Sequence, residues 1–423
     1  MNQGVSMENK NNQNRFDVDF ARRQFPFFEL EESKKWAFFD NAGGTFPCGP
    51  VVDKLTYFYR INKVQPYGYN ALSATAGEQM DNGRRVMAQL LGVPIDTLTI
   101  GPSTTQNFNT LSIACVNFLN KGDEIIVSEQ DHEANIGGWE RAARLSGATL
   151  KFWNADVKNG ELNLAELEKL LNKHTKIVCV THSSNIIGTV NPIQEIIRLG
   201  HDYGAKVIID GVSYAPHQWP NLNTNSPDAY CFSTYKTYAT HLGMMYVAPD
   251  FMEQLTPQCH FFNEKQSWAR LDGAGPDHAS IAALAGLGEY FQTLHCHHFG
   301  ETDKPLNQKA AEISNLMNQH ETSLCKLLLE KIALLPVRII GKSSIEGREA
   351  NISLLSSTCS SKKLSSLLAK KGIAANNNHF YAYRLIKKLG IDIDDGVLRL
   401  SFAHYNTMDE TIRLIDALTA ILG

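Results

Sequence analysis

The chain has 423 residues, 43% of them hydrophobic and 20% charged, with a formal net charge of −4 and a pI near 6.4. That balance describes a globular protein longer than one hydrophobic core usually serves, so two domains are expected. It offers no electrostatic ground for a nucleic-acid or anionic-membrane partner, and no apolar run approaches the roughly 20 residues that span a bilayer. Eight cysteines without a CxxC pair suit a reducing compartment, which makes cytoplasm the expected location.

Residues 1–15 read as a disordered polar tail without the apolar centre of a signal peptide. From about residue 98 to 250, short apolar runs alternate with helical patterns: "LTIGPS", "DEIIVSE", "ATLKFWN", "TKIVCVTHS", "AKVIIDG", "DAYCFS" and "GMMYVAP". Near-continuous Val and Ile in the central runs predict strands buried on both faces, as in a mostly parallel sheet covered by helices. A helix is expected from the Thr104 region to about residue 119. Another opens at Asn163, where Glu166 three residues on resembles a capping box. A third has Pro192 in its first turn and Gly204 as its stop.

After about residue 290 the pattern changes to a long helical stretch, then the strand-like runs "VRIIG", "ANISLLS" and "VLRLSFA", and a closing helix in "DETIRLIDALTAIL". The expected architecture is α/β. A large domain with a mostly parallel sheet flanked by helices spans 38–290, a smaller C-terminal α+β domain spans 291–423, and residues 16–37 pack on the smaller one.

In such sheets ligands bind beyond the carboxyl ends of the strands. After "LTIG" come Pro102, Ser103, Thr104 and Thr105 at a helix start, where free N–H groups and hydroxyls form a phosphate cradle or where Ser103 merely caps the helix. Neither GxxxxGK[ST] nor GxGxxG is present. Further strand ends carry His132, Asn185, Asp210 and, within "CFSTYKTYATHLGMMY", Ser233 and Lys236. Alone, Lys236 reads as a solvated surface charge. Yet Asp210 and Lys236 are separated by one crossover and one strand, which allows neighbouring strand tips to face one ligand. A lysine, a carboxylate, a phosphate cradle and an imidazole match the needs of pyridoxal phosphate. Lysine forms a Schiff base with its aldehyde, and a carboxylate keeps the ring nitrogen protonated. His295, His297 and His298 form a helix-end cluster rather than a metal site, and the "DIDD" run at 392–395 lacks calcium-loop spacing.

The ordered motifs resemble the class V aminotransferases of the fold-type I pyridoxal-phosphate enzymes, in particular the cysteine desulfurase-like branch. "SEQDHEANIGGW" is similar to "TEHHAN…W", "SSNIIGTVNP" to "SNxxGTxxP", "DGVSYAPH" to "DGAQxxPH", and "FSTYKTYATHLGMMY" to "FSxHKxxGPxGxGxLY". The likeness runs from "FFDNAGGT", with Asp40 and Asn41, to "LRLSFAHYNTMDE". It implies that Lys236 carries the Schiff base, Asp210 faces the ring nitrogen, and His132 stacks on the ring. Asn185 would approach the phenolic oxygen, Thr104, Thr105 and Ser233 the phosphate, and Arg399 the substrate carboxylate. A homodimer is also implied. Ser213 stands where glutamine is usual, Tyr235 where histidine is usual, and Gly275 where a threonine reaches the neighbouring subunit. The desulfurase loop "GIAVRTGHHC" corresponds to "GIAANNNHFY" here, which puts Tyr381 at the cysteine position; His379 and Tyr381 are expected to line the substrate mouth. The expected reaction is C–S cleavage on an amino acid, with any sulfur acceptor unknown. Transamination or epimerisation is the alternative within enzymes, and a binding protein that lost turnover is the alternative outside them.

Overall fold

The computed structural model describes residues 15–223 and 227–423. The expected polar tail therefore lies, but for Arg15, outside the described residues. A short strand β1 (Ala37–Phe38) is followed by β2 (Leu98–Gly101), β3 (Glu124–Ser128), β4 (Thr149–Trp153), β5 (Thr175–Thr181), β6 (Lys206–Asp210), β7 (Ala229–Ser233) and β8 (Gly243–Val247). Strands β2 to β8 form one seven-stranded sheet in the order β2-β8-β7-β6-β5-β3-β4. All seven apolar runs read from the sequence are strands of this sheet. Only β8 runs against its neighbours, β2 and β7; the remaining pairs are parallel.

Alternation within the strands explains the burial of both faces. Ile126, Val178, Val207 and Ile209 belong to one apolar cluster, whereas Ile125, Val127, Ile177, Cys179 and Ile208 belong to another on the opposite side. The helices Thr104–Ala114 and Glu133–Ser146 cover one face close to the strand tips. Their approach is tight, because a Cβ on Gly138 would lie 2.8 Å from Ser112 Oγ.

Two local expectations need correction. The first of these helices ends at Ala114, not near residue 119, because the Ala114 carbonyl accepts from the Thr256 N–H at 3.0 Å rather than from the next helical turn. At Asn163 the side chain does cap the helix Leu164–Leu170 through the Ala165 N–H, but Glu166 turns to Lys169 at 2.6 Å and closes no capping box. A complete box occurs instead at Thr407 and Glu410, opening the last helix, Met408–Leu422.

The long helix Leu306–Ile332 leads to β9 (Val337–Ile340), β10 (Asn351–Ser356), β11 (Ile373–Ala374), β12 (Asn376–Asn378) and β13 (Val397–Ser401). Strands β12-β13-β10-β9 make an antiparallel sheet, and β1 pairs in parallel with β11. Strand β12 was not expected, since asparagine-rich segments are poor strand formers; it forms as an edge paired to β13, with Asn376 opposite Arg399. The N-terminal segment sits against an aromatic cluster, where Phe25 meets Tyr238, Tyr290 and Tyr405 with ring centroids 5.0–6.0 Å apart.

Candidate active site

The ends of β2, β3, β5, β6 and β7 surround a cleft of about 490 Å³. Thr104, Thr105, His132, Asn185, Asp210, Ser213, Ser233, Tyr235, Lys236 and Tyr381 all line it. Of the residues expected to contact cofactor or substrate within this chain, only Arg399 and His379 lie outside its lining. Asp210 closes β6 and Lys236 closes the turn after the adjacent β7, so the expected juxtaposition of strand tips is present.

Asp210 is 4% exposed, and its Oδ1 accepts from the Val212 N–H at 2.9 Å. Burial pushes its carboxyl up to about 6, against the opposing pull of that N–H and of Lys236. Burial pushes Lys236 the other way, to about 8; the Arg399 charge acts in the same sense, and Asp210 and Asp40 oppose it. An amine in this state is partly neutral near physiological pH and can act as nucleophile or base.

His132 is the N-cap of the helix Glu133–Ser146, and its Nδ1 accepts from the Ala134 N–H at 3.0 Å. That bond leaves the proton of the neutral ring on Nε2. Burial, then the charges of Lys236 and Arg399, drive its pKa down to about 3, so the ring is neutral. Its centroid lies 5.1 Å from that of Tyr381.

At the other end, the hydroxyls of Thr104 and Ser233 are 2.7 Å apart, where the first N–H groups of a helix are free. Ser103 caps the Gln106 N–H at 3.1 Å, as the capping reading of this segment expects. Gly243 permits the construction: a Cβ there would come within 2.4 Å of the Ser103 backbone. Tyr235 stacks on His241 with centroids 4.5 Å apart, giving an aromatic wall where histidine was the usual residue.

Arg399 lies behind this cleft. Its guanidinium is 3.4 Å from Asp40 Oδ1 and 3.4 Å from the Asn185 carbonyl, and 3.7 Å above the Phe380 ring. Its Nε is buried without a hydrogen-bond partner. Asn185 Nδ2 donates to the Phe380 carbonyl at 2.8 Å, which ties the same loop to the cleft floor. His379 lines an adjoining groove with Tyr381, Tyr383 and Arg384. The eight cysteines are all free, and among the described residues none lines the cleft.

Sequence reasoning missed Arg141 and Asn109, which line the cleft mouth and are hydrogen-bonded to each other. The signal was present in the period: Glu133, Gly137 and Arg141 follow His132 at helical spacing and share one face. Phe380 was also missed, because nothing in its neighbours announces that it covers an arginine.

The donor set fits pyridoxal phosphate. Hydroxyls and free N–H groups suit a phosphate, a buried carboxylate raised to about 6 gains from a protonated ring nitrogen, and a lowered amine suits an aldehyde. Comparison with known proteins agrees. The chain is 33% identical over 420 residues to an aminotransferase-like protein of Gibberella zeae, covering 96% of this chain and 99% of the relative. It is 29% identical to a probable cysteine desulfurase of Mycobacterium leprae over 93% of this chain and 64% of that longer protein. The apo cysteine desulfurase of Thermococcus onnurineus NA1 superposes with a TM-score of 0.83 at 21% identity, over 96% of this chain and 98% of the other, which establishes the fold. Residues 37–414 match the model of the family described as aminotransferase class-V. The chain belongs to that family and is a pyridoxal-phosphate-dependent enzyme.

Proposed function

We propose that this enzyme cleaves the C–S bond of an amino acid and releases the sulfur directly as a thiol or sulfide, without a persulfide on its own chain. The observation that carries the reading is a cleft that, among the described residues, no cysteine lines, with Tyr381 at its mouth in the position the resemblance gives to the desulfurase cysteine. A persulfide route needs an accessible thiolate. Support for sulfur chemistry comes from the mycobacterial relative named as a probable cysteine desulfurase.

Bound pyridoxal phosphate supplies an electron sink for the pair left when an α-proton departs. Asp210 would hold its ring nitrogen, Thr104, Thr105 and Ser233 its phosphate, and Lys236 its aldehyde carbon. The neutral ring of His132 offers an uncharged flat face for stacking. Arg399, with Nε free, would hold the substrate α-carboxylate through a bidentate pair once the Phe380 ring yields its place. Lys236 Nζ takes the α-proton, and the electron pair expels the β-sulfur, which leaves as thiol. Water then converts the remaining enamine to a 2-oxo acid and ammonia.

A second reading, amino-group transfer, is favoured by the name of the Gibberella zeae relative. It begins with the same proton abstraction by Lys236, as does epimerisation. Incubation of the holoenzyme with cysteine, cystine and thioether conjugates separates the three. Thiol and 2-oxo acid in equal amounts without an amino acceptor are expected; 2-oxo acid formed only with an acceptor, or inversion without thiol, would overturn the lyase reading.

We further propose a homodimer. The segment from Tyr57 to Tyr69 leaves Tyr57, Tyr59, Ile61, Tyr67 and Tyr69 exposed, a concentration of apolar surface suited to a partner copy. Size measurement in solution tests it. No helix among the described residues is long and apolar enough to cross a membrane.

A further inference from the structure

Next to the cleft, sharing Val212, Ser213 and Lys236 with it, lies a second and much smaller cavity of about 10 Å³. Lys236, Ser213, Ser183, Asn351 and His217 are among the residues that bound it. This is enough room for roughly one water molecule when polar partners are present. Such partners are there: Ser183 Oγ and Asn351 Oδ1 are both buried and have no hydrogen-bond partner in the protein. Ser183 is 1% exposed and Asn351 4%. Buried polar oxygens without partners are costly, so a site bounded by two of them favours occupation by water.

The same cavity touches a group the reaction does not otherwise use. His217 is 5% exposed, and its Nδ1 lies 2.5 Å from Glu321 Oε2, on a carboxylate with no exposed surface at all. Glu321 Oε1 has no partner. Glu349, also buried, accepts from Gln218 and Asn318, each at 3.2 Å. With Nδ1 committed to Glu321, the atom of His217 left for the cavity is Nε2.

We propose that this cavity holds one water, bonded to Ser183 and Asn351, that joins Lys236 Nζ to His217 Nε2, and that His217 with Glu321 receives the proton Lys236 must shed. One proton leaves the Lys236 ammonium for the water oxygen, and one water proton passes to His217 Nε2. The amine ends neutral, the imidazole ends cationic beside the Glu321 carboxylate, and no electrons change hands. His217 is a positioning residue here, acting on Lys236 through the water.

Electrostatics on each side agree. Glu321 holds the His217 pKa above its usual value against burial, and Glu349 adds to the effect; His404, also close, is kept neutral by its own burial. Around Lys236 the facing groups are Arg399, Asp210, Asp40 and the neutral His132. The proposal rests on reading Lys236 as the amine that joins the cofactor. It does not depend on which substrate is cleaved, so failure of the lyase reading leaves its test intact.

The test follows the rate at which apoprotein and added pyridoxal phosphate form the bound chromophore, as a function of pH, in folded variants. His217→Asn removes the base that takes up the shed proton, so less of the amine is neutral at a given pH. The inflection that reports Lys236 should then move up, by about one unit or a tenfold change in the protonation ratio. Ser183→Ala removes a water ligand and with it an acceptor for the ammonium, so the inflection should move down. A high-resolution crystal structure of the holoenzyme should show the water. Opposite shifts with an occupied cavity support the relay. An unmoved inflection in both variants, or a dry cavity, overturns it. If His217→Asn fails to fold, Ser183→Ala and the crystal structure decide alone.

Discussion

Along one wall of the cleft, Asp210, Ser233 and Lys236 follow adjacent strands of a buried sheet; along the other, Phe380 and Tyr381 sit on a loop with successive left-handed backbone angles. Their φ values are +46° and +59°, a conformation costing about 1–2 kcal/mol per residue with a side chain. The first wall is fixed by sheet hydrogen bonds and close packing and carries groups with shifted acidity. The second is fixed by a few contacts, notably the Asn185–Phe380 bond and the Phe380 ring on Arg399, and leaves Tyr381 66% exposed. The acid–base groups thus sit on the wall tied into the sheet, and the exposed aromatic ring sits on the wall held by loop contacts.

Breaking the rigid wall should have the largest effects. Lys236→Ala removes the amine proposed as both covalent anchor and base, and turnover should fall on the order of 10³-fold or more, with no linked chromophore in the spectrum. Before any substitution, chromophore formation by the wild-type apoprotein should rise with pH and level off above about 8, because burial and Arg399 lower the Lys236 pKa and only the neutral amine attacks. An inflection near the ordinary lysine value would break the account. Asp210→Asn keeps the shape but loses the charge proposed to face the ring nitrogen, and kcat/KM should fall about 10²-fold.

Packing beneath the cradle comes next. Gly243→Ala drives a methyl group into the Ser103–Thr104 backbone and should cost about 1–3 kcal/mol, seen as a lower Tm together with weaker cofactor binding. Gly273→Ala, where a Cβ would meet nothing within 4 Å, is the matched control and should leave both unchanged. The loop wall should give the smallest effect. Tyr381→Ala loses the ring contact with His132, worth about 1 kcal/mol or a fivefold rise in KM, with kcat nearly unchanged. A collapse of kcat instead would move Tyr381 into the chemistry and erase the contrast between the walls.

Legibility from sequence follows the same division. Every strand of the large sheet was readable because continuous apolar runs bounded by turns leave few alternatives. Asp210 and Lys236 were readable because each follows such a run by a fixed step. The Asn163 cap was readable, but the partner of Glu166 was not, since Lys169 and the cap compete for the same carboxylate across a surface turn. Strand β12 escaped notice because its residues do not favour extension; β13 holds it there. Arg399 could be named by its motif alone, whereas its position behind Phe380, between Asp40 and Asn185, could not.

The order of residues along the chain was sufficient to set the strand pattern, the helix starts and the identity of the groups at the sheet tips, because those depend on local periodicity and on neighbours a few residues away. Tertiary structure alone decided which acids and bases lost their water, which buried oxygens went without partners, and which side chain covered the arginine. Burial and contact join segments that lie hundreds of residues apart, and desolvation, which moves the acidities of Asp210, Lys236 and His132, exists only once they have met.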